Sequence, residues 1–222
     1  MHDFFNILNI SNPINTAEKV YFQLKRMLFD YEIVPGQKLQ YQDLAEKFKV
    51  SRTPVKDALN MLEKEGYVEL RHNKGYYVAE IGLKEAEELY DIREALETVA
   101  VQKAIENLTQ DSLKLLEQAM EVYSADVKKS LSRRRLILDA DFHLKIAEIT
   151  RNRSLVEILR MIYSKIYLKH KTESLSPQRG EIAANEHREI YEAICSKEVY
   201  VAIDKVKKHI ALSRKNILGS LT

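Results

Sequence analysis

Four side chains in the second half of this 222-residue sequence are of the kinds that bind metal ions. Asp139 and His143 are four residues apart, so one face of a helix carries both. His187 and His209 each fall among apolar residues at helical spacing, on two further predicted helices. Ionisable groups that point into an apolar interior are costly to bury unpaired, and a shared cation would remove that cost.

The residue types narrow the choice of metal without fixing it. Three imidazoles and one carboxylate suit Zn²⁺, Ni²⁺, Mn²⁺ or Fe²⁺. Taken singly, each histidine also has an ordinary structural explanation, because a buried imidazole is commonly hydrogen-bonded to a backbone carbonyl. The positions of His187 and His209 along the chain prove nothing until a fold brings them together.

A helical metal-dependent hydrolase is one alternative, because an Asp/His cluster with an open metal position can activate water. The sequence offers no separate general base beyond these residues, no Ser or Cys nucleophile with partners, and no phosphate-binding glycine loop. We therefore predict that the protein is not an enzyme.

Residues 42–65 predict two short helices joined by a tight turn. Apolar residues recur at helical spacing on both helices: Leu44, Ala45 and Phe48 on the first, and Val55, Ala58, Leu59 and Leu62 on the second. Ser51 is the predicted N-cap of the second helix and accepts a backbone N–H in that prediction. Pro54 falls in the first turn, where a missing N–H costs little.

The second of these helices also carries a polar face, formed by Arg52, Thr53, Lys56 and Asn60. Such a face suits the major groove of DNA, since arginine reads guanine edges while threonine and lysine hold phosphates. The plain alternative is a helical hairpin whose charged face is simply solvated.

The residues that follow favour DNA binding. Two short β-branched and aromatic runs, 66–70 and 76–79, flank a turn that contains Asn73 and Gly75, which predicts a small hairpin. Its tip carries Arg71, His72 and Lys74. A basic hairpin directly after a candidate recognition helix is typical of the wing in a winged helix-turn-helix domain.

With these motifs in place, the chain resembles the GntR family of bacterial transcription regulators over residues 16–80. The resemblance rests on residues 34–39 (VPGQKL), 43–45 (DLA), 50–59 (VSRTPVKDAL) and 62–66 (LEKEG). It implies a winged helix-turn-helix domain that binds double-stranded DNA.

We predict DNA contacts from Ser51, Arg52, Thr53, Lys56, Asn60, Lys74 and Gly75. Two positions depart from the family pattern. Lys56 stands where arginine is common, so a bidentate contact becomes a point-charge contact. Gln42 stands where many members carry arginine just before the Asp-Leu-Ala run, which leaves an operator contact there in doubt.

Residues 83–218 resemble the FCD effector domain, the all-helical C-terminal module of the FadR-type branch of this family. In that module the motif at residues 139–143 (DADFH) supplies two metal ligands, the motif at 186–191 (EHREIY) a third, and a histidine in the last helix a fourth. The resemblance therefore implies a divalent metal site formed by Asp139, His143, His187 and His209. Six C-terminal helices, instead of seven, would place the chain nearer the VanR-like subgroup.

The same resemblance points to Arg93 as a residue of the effector pocket. A guanidinium beside a metal ion would clamp the carboxylate of a small organic acid. An ordinary salt bridge on the helix surface, with Glu97 or Glu94, explains Arg93 equally well at this point.

Composition sets the broad class. The sequence has 45% hydrophobic and 31% charged residues, few Gly and Pro, and a net charge of +2, which fits a soluble, mainly helical protein. Residues 1–80 contain 11 basic and 11 acidic side chains, so the argument for DNA is local and does not come from bulk charge. The one cysteine, Cys195, and the lack of a long apolar run indicate a cytoplasmic protein that neither needs disulfides nor spans a membrane.

The predicted fold is mainly α, with a winged helix-turn-helix domain at 16–80, an all-helical bundle of about six helices at 83–218, and an N-terminal arm at 1–15. We expect helices at about 16–30, 83–106, 111–128, 132–150, 153–172, 181–197 and 199–218, besides the two of the helix-turn-helix.

The predicted function is regulation of transcription by a homodimer on a pseudo-palindromic operator. A small carboxylate effector at the metal site would change operator affinity. Repression relieved by the ligand is the commoner behaviour in the family, although the sequence does not fix the sign. A metal-sensing regulator, with the ion itself as the signal, is the nearer alternative.

Overall fold

A computed structural model describes residues 15–127, 134–169, 177–219 and 221. The predicted N-terminal arm lies outside these residues except for its last member, Asn15. The described residues form nine helices and one three-stranded sheet. None of these helices combines the length and apolar character that crossing a bilayer requires. Backbone contacts divide the chain into two compact units between Ile81 and Gly82, with residues 164–171 grouped with the first.

The first unit contains three helices: α1 (Thr16–Phe29), α2 (Tyr41–Phe48) and α3 (Arg52–Lys64). Asn15 caps α1, because its Oδ1 accepts the Glu18 N–H at 2.9 Å. Ser51 occupies the N-cap position of α3, but its side chain makes no capping hydrogen bond. The position of the Ser51 cap was therefore predicted correctly and its hydrogen bond wrongly, and its hydroxyl remains exposed at the start of the helix.

The sheet of this unit consists of β1 (Lys38–Leu39), β2 (Val68–Arg71) and β3 (Gly75–Val78), in the antiparallel order β1-β3-β2. The β2–β3 hairpin was predicted, whereas β1 was not. Its two residues are too few for a periodic pattern, and they pair with Tyr76 and Tyr77 of β3. A turn at Gly36, which has φ +83° and whose N–H donates to Val78 O at 2.9 Å, directs the chain into this strand.

The core of the first unit forms where α1 packs against α3. A buried polar cluster closes one end of it. Lys25 Nζ lies 2.8 Å from both the Tyr21 hydroxyl and Glu65 Oε2, and the same Tyr21 hydroxyl donates to Glu65 Oε1. Because the ammonium group has both partners, its burial on α1 carries no unpaired charge.

Six described helices follow in the chain: α4 (Leu83–Glu106), α5 (Gln110–Val127), α6 (Arg134–Ile149), α7 (Arg153–Lys169), α8 (Pro177–Cys195) and α9 (Val199–Gly219). They belong to the second unit, except that α7 passes into the first unit from Ser164 on. Helix α4 packs against α6, α8 and α9, while α5 packs against α6 and α8. The six predicted helices are all present. Helix α8 begins at Pro177, earlier than the predicted 181, since proline at the first helical position loses only an N–H that has no partner within the helix.

Candidate metal centre and DNA-binding surface

The helix-turn-helix of the first unit exposes the polar face that the sequence predicted. Helix α2 ends at Lys49, whose left-handed φ of +55° turns the chain towards α3. Val55, Ala58, Leu59 and Leu62 of α3 are fully buried, whereas Arg52, Thr53 and Lys56 are exposed. Charged and hydroxyl side chains at the first turns of a helix whose other face is buried provide what a recognition helix needs.

Gln42 forms a hydrogen bond with Arg52, the arginine of this polar face. Arg52 Nη2 donates a hydrogen bond to Gln42 Oε1 at 3.1 Å, between two exposed side chains. The glutamine that departs from the family pattern thus acts on its neighbour within the protein. Its amide NH₂ is a further donor on the same surface.

Asn60 has a different setting from the other residues of this face. It is half-buried, and its Oδ1 accepts a hydrogen bond from the Tyr76 hydroxyl of β3. This bond ties the third turn of α3 to the hairpin. Asn60 therefore has a structural partner that sequence spacing did not reveal.

The tip of the hairpin presents Lys74, which is exposed, next to Gly75 with φ +90°. Arg71 Nε donates to Glu69 at 2.6 Å, and its guanidinium lies 4.2 Å from the centre of the Tyr77 ring. Because Arg71 is held by these contacts, Lys74 is the better placed of the two to reach a phosphate.

In the second unit, three helices bring the four predicted metal ligands together. Asp139 and His143 come from α6, His187 from α8 and His209 from α9. One donor atom from each of the four lies within 4.8 Å of all the others. The three imidazoles are fully buried, while the Asp139 side chain keeps 17% of its exposure.

The closest approaches involve the Nε2 atoms of the histidines and one oxygen of the aspartate. Nε2 of His143 lies 3.0 Å from Nε2 of His209. Asp139 Oδ1 lies 3.2 Å from His187 Nε2 and 3.5 Å from His209 Nε2. Since a metal–nitrogen bond is about 2.1 Å, two ligand atoms of one ion can be at most about 4.2 Å apart. These three separations fall inside that limit, and the whole set needs only a small contraction.

Two carboxylates outside the cluster lie next to the Nδ1 atoms of two of the imidazoles. His143 Nδ1 lies 2.6 Å from Glu97 Oε2 on α4, and His209 Nδ1 lies 2.7 Å from Glu186 Oε2 on α8. At these distances lone pairs on both atoms would repel, so each Nδ1 carries the proton. When such a ring is neutral, its Nε2 atom carries a lone pair that faces the cluster.

His187 is packed by aromatic rings instead of a carboxylate. Its ring stacks on Phe142 at 4.3 Å and meets the edge of Tyr123 at 4.6 Å between centroids. Neither ring nitrogen makes a hydrogen bond to any described residue, although Nε2 lies 3.2 Å from Asp139 Oδ1 and the residue is fully buried. A buried imidazole with two unpaired nitrogens is destabilising unless a ligand satisfies one of them.

Burial and neighbouring charges set the ionisation of the cluster. Burial lowers the pKa of His187 to about 3 and also lowers the pKa of His143. Burial would raise the pKa of Asp139, but the surrounding imidazoles hold it well below its ordinary value. His209 has a raised pKa because hydrogen bonding to Asp139 and Glu186 outweighs its burial. An ionised aspartate with neutral His143 and His187 is the protonation state that binds metal.

Arg93 on α4 is buried and lies next to the cluster. Its Nε donates to Glu97 Oε1 at 2.6 Å, and its Nη2 lies 3.7 Å from Asp139 Oδ2 without a hydrogen-bond partner. The Tyr163 ring centre lies 4.6 Å from the guanidinium carbon. Both sequence-based interpretations are therefore partly realised: the ion pair with Glu97 exists, but it is buried beside the candidate metal ligands and not on the helix surface.

Sequence reasoning missed the residues around the ligands. Glu97 was considered only as a surface partner of Arg93, and Glu186 only as part of a motif. Tyr163, whose hydroxyl donates to Glu97 Oε1 at 2.5 Å, and Arg179, whose Nη2 lies 2.8 Å from Glu186 Oε2, were not considered. A charged residue next to a ligand motif, such as Glu186 before His187, was the available signal.

Comparison with known proteins agrees with both halves of the chain. Residues 16–78 match the model of bacterial regulatory proteins of the gntR family, and residues 88–212 match the FCD domain. The HTH-type transcriptional regulator YdhC of Bacillus subtilis is 29% identical over 210 residues, which cover 94% of this chain and 92% of that protein. The Nta operon transcriptional regulator of Aminobacter aminovorans is 30% identical over 141 residues, covering 63% of this chain and 66% of that protein.

Among solved structures, Escherichia coli McbR/YncC aligns with a TM-score of 0.77 and 22% identity, covering 95% of this chain and 100% of that one. This likeness supports the fold alone. The families and relatives matched are transcriptional regulators and not enzymes, which confirms that prediction. From its two domain matches and its fold, the chain belongs to the GntR family of bacterial regulatory proteins, in the branch that carries a C-terminal FCD domain.

Proposed function

We propose that this protein is a transcriptional regulator whose operator affinity is controlled by a small organic acid, bound beside a divalent transition metal ion. Asp139, His143, His187 and His209 hold the ion. Arg93 holds the carboxylate of the acid.

The convergence of lone pairs is the observation that supports this proposal best. His143 Nδ1 lies 2.6 Å from Glu97 Oε2 and His209 Nδ1 lies 2.7 Å from Glu186 Oε2, so the Nε2 atoms of the two rings are turned towards each other, 3.0 Å apart. The ionised Asp139 oxygen adds further negative charge beside them. The raised pKa of His209 favours a proton between the two Nε2 atoms when no metal is bound, and a divalent ion that replaces this proton is coordinated by both of them.

Charge balance favours an anionic partner for the ion. In the network of ion pairs, the guanidinium groups of Arg93 and Arg179 face three carboxylates: Glu97, Asp139 and Glu186. Once His209 has lost the proton that its raised pKa favours, these groups carry one excess negative charge, and a divalent ion changes it to one excess positive charge. One carboxylate from solution restores neutrality, which matters in a buried site.

Arg93 is placed to bind that carboxylate. Among the residues that the structure describes, its buried Nη2 has no hydrogen-bond partner, and it lies 3.7 Å from Asp139 Oδ2. The ion, when bound, supplies a Lewis-acid position for one carboxylate oxygen, and Arg93 Nη2 donates to the other. Small organic acids are the class that fits both.

On the DNA side, the proposal assigns the operator contacts to Ser51, Arg52, Thr53, Lys56, Asn60, Lys74 and Gly75. The protein acts as a homodimer, so that two α3 helices reach successive major grooves of a pseudo-palindromic site. Binding of the acid favours the arrangement with lower operator affinity, so the protein represses until the ligand arrives. The acid achieves this only if its affinity differs between the two arrangements.

A metal-sensing regulator is the second candidate, and the number of ligands favours it. Four protein donors complete a tetrahedral site and leave no open position for a carboxylate unless the coordination expands. In that case the ion alone is the signal.

The test begins with elemental analysis of protein purified without chelator, with His143→Ala alongside. About one transition metal per chain, lost in the variant, supports the site. An operator selected from random duplex DNA is then titrated by fluorescence anisotropy against metal-free protein, protein with Zn²⁺, and protein with Zn²⁺ plus acetate. A shift that requires acetate supports the acid-responsive regulator, whereas a full shift with Zn²⁺ alone supports the metal sensor. Wild-type protein that takes up no metal overturns both.

A further inference from the structure

The two carboxylate oxygens of Glu97 contact different side chains. Oε1 accepts from Arg93 Nε at 2.6 Å and from the Tyr163 hydroxyl at 2.5 Å. Oε2 lies 2.6 Å from His143 Nδ1. All four side chains are buried, so Glu97 has polar protein groups on both sides, although His143 Nδ1 is not aligned with Oε2 as a hydrogen bond requires.

We propose that Glu97 is a positioning residue of the metal site. It fixes His143 as the Nδ1–H tautomer with one oxygen and fixes the Arg93 guanidinium with the other. The inference rests on the function proposed above, because it takes His143 to be a metal ligand. It assigns the orientation of a metal ligand and of the effector arginine to one carboxylate that touches neither metal nor effector.

The chemistry of a carboxylate explains why glutamate is needed here. A carboxylate accepts hydrogen bonds on both oxygens, whereas an amide accepts on one and donates from the other. In Glu97→Gln, one side of the residue must therefore present an NH₂ group to a donor. If that side faces His143, its Nδ1–H loses its acceptor and the ring gains by moving the proton to Nε2. A protonated Nε2 has no lone pair for a metal.

Glu186 offers a matched control. It also holds a predicted ligand, with His209 Nδ1 at 2.7 Å, and it also pairs with an arginine, with Arg179 Nη2 at 2.8 Å. Both contacts, however, use the same oxygen, Oε2, while Oε1 makes no hydrogen bond. A glutamine at this position can place its carbonyl oxygen where Oε2 lies and keep both contacts. Glu186→Gln then removes the negative charge of the side chain and leaves the geometry of both contacts unchanged.

The experiment compares Zn²⁺ affinity by competition with a chromophoric chelator in wild type, Glu97→Gln and Glu186→Gln. Loss of an outer partner of a metal-bound histidine typically costs 10–100-fold in metal affinity, and we expect a loss of about that size for Glu97→Gln. For Glu186→Gln we expect roughly fivefold, since only the charge of a hydrogen bond is removed.

The ¹⁵N shifts of the histidine rings give a second readout that a general loss of stability would not reproduce. In metal-free wild type we expect His143, identified by its absence from His143→Gln, as the Nδ1–H tautomer. In Glu97→Gln we expect Nε2–H, and in Glu186→Gln no change at His143. The wild-type spectrum alone keeps the proposal testable if Glu97→Gln does not fold.

The outcomes separate this inference from the proposed function. Wild type that binds no Zn²⁺ overturns the proposed metal site itself. Wild type that binds Zn²⁺, together with equal losses in the two variants or an Nε2–H tautomer of His143 in metal-free wild type, overturns the role of Glu97 and leaves the site intact.

Discussion

The candidate DNA-binding surface and the candidate metal centre meet opposite physical conditions. Arg52, Thr53 and Lys56 are exposed, and nothing in the packing of α3 requires their identity. His143, by contrast, is buried and lies within 3.0 Å of both Glu97 and His209. An exposed residue is free to change unless a partner outside the protein needs it, while a buried polar residue must be satisfied inside the fold.

This contrast decides what a mutation reports. A change on the exposed face should alter DNA binding and leave the free energy of unfolding nearly unchanged. A change in the buried cluster should alter stability, and the sign of that change should depend on whether metal is present. The following predictions test this difference, beginning with the largest expected effect.

His187→Leu should lower the stability of the protein when Zn²⁺ is bound, and should leave it unchanged or raise it when the metal is removed. With Zn²⁺ at about 1,000 times its Kd, wild type gains about 4 kcal/mol of stability that the variant loses. With chelator, the variant should be as stable as wild type or more so, because leucine replaces an imidazole whose two nitrogens are unpaired. Urea unfolding with and without chelator measures both. A variant that is less stable under both conditions would make His187 a structural residue.

Arg52→Ala should weaken operator binding by about 1–3 kcal/mol and relax the base preference at one position. The urea midpoint should stay within error of wild type, because the side chain is exposed. Gln42→Ala is the matched variant, since it removes only the hydrogen bond that holds Arg52 at 3.1 Å. Gln42→Ala should weaken operator binding less than Arg52→Ala does, and the loss should fall at the same base pair. Anisotropy titrations against single-base operator variants give both numbers, and equal losses on every operator would argue against base readout.

Lys74→Ala should weaken binding to all DNA sequences alike and reduce the dependence of log K on log salt by about one unit. This follows if the exposed ammonium group at the hairpin tip neutralises one phosphate. Lys64→Ala, at the exposed C-terminal end of α3, serves as the control for net charge. If both variants change the salt dependence equally, the effect comes from charge and not from the wing.

Tyr76→Phe should lower the free energy of unfolding by about 1 kcal/mol, because it removes the hydrogen bond to Asn60. Asn60→Ala removes the same bond and also the amide that a base could contact. If Asn60 reads DNA, Asn60→Ala should weaken operator binding more than Tyr76→Phe at equal loss of stability. Equal effects on DNA would leave Asn60 with a structural role only.

Most of the fold could be predicted from the sequence, because the spacing of apolar residues indicates a helix without any knowledge of its tertiary contacts. Helices α4 to α9 were predicted from apolar spacing, and the β2–β3 hairpin from its turn residues. Strand β1 was missed because its two residues depend on their pairing with β3. The early start of α8 was missed because Pro177 and Gly180 indicate a loop when no neighbouring helix is known.

The candidate site likewise has residues that could be predicted from the sequence and residues that could not. The four ligand positions followed from residue types and a family motif, and the structure brings their donor atoms together. Glu97 could not be assigned, because it lies 46 positions from His143 in the chain and its spacing to Arg93 fits a surface salt bridge equally well. The packing of α4 against α6 places one of its oxygens beside His143, and Tyr163 of α7 donates to the other.

The hydrogen bond between Tyr76 and Asn60 has a consequence for how an operator would be read. It joins α3 and the hairpin into one body, so the protein offers two DNA-contacting elements at a fixed separation. A duplex that matches this separation poorly must bend or change its groove width, and the cost depends on the flexibility of its base steps. We therefore expect base pairs lying between the helix and the wing to influence affinity although no side chain touches them.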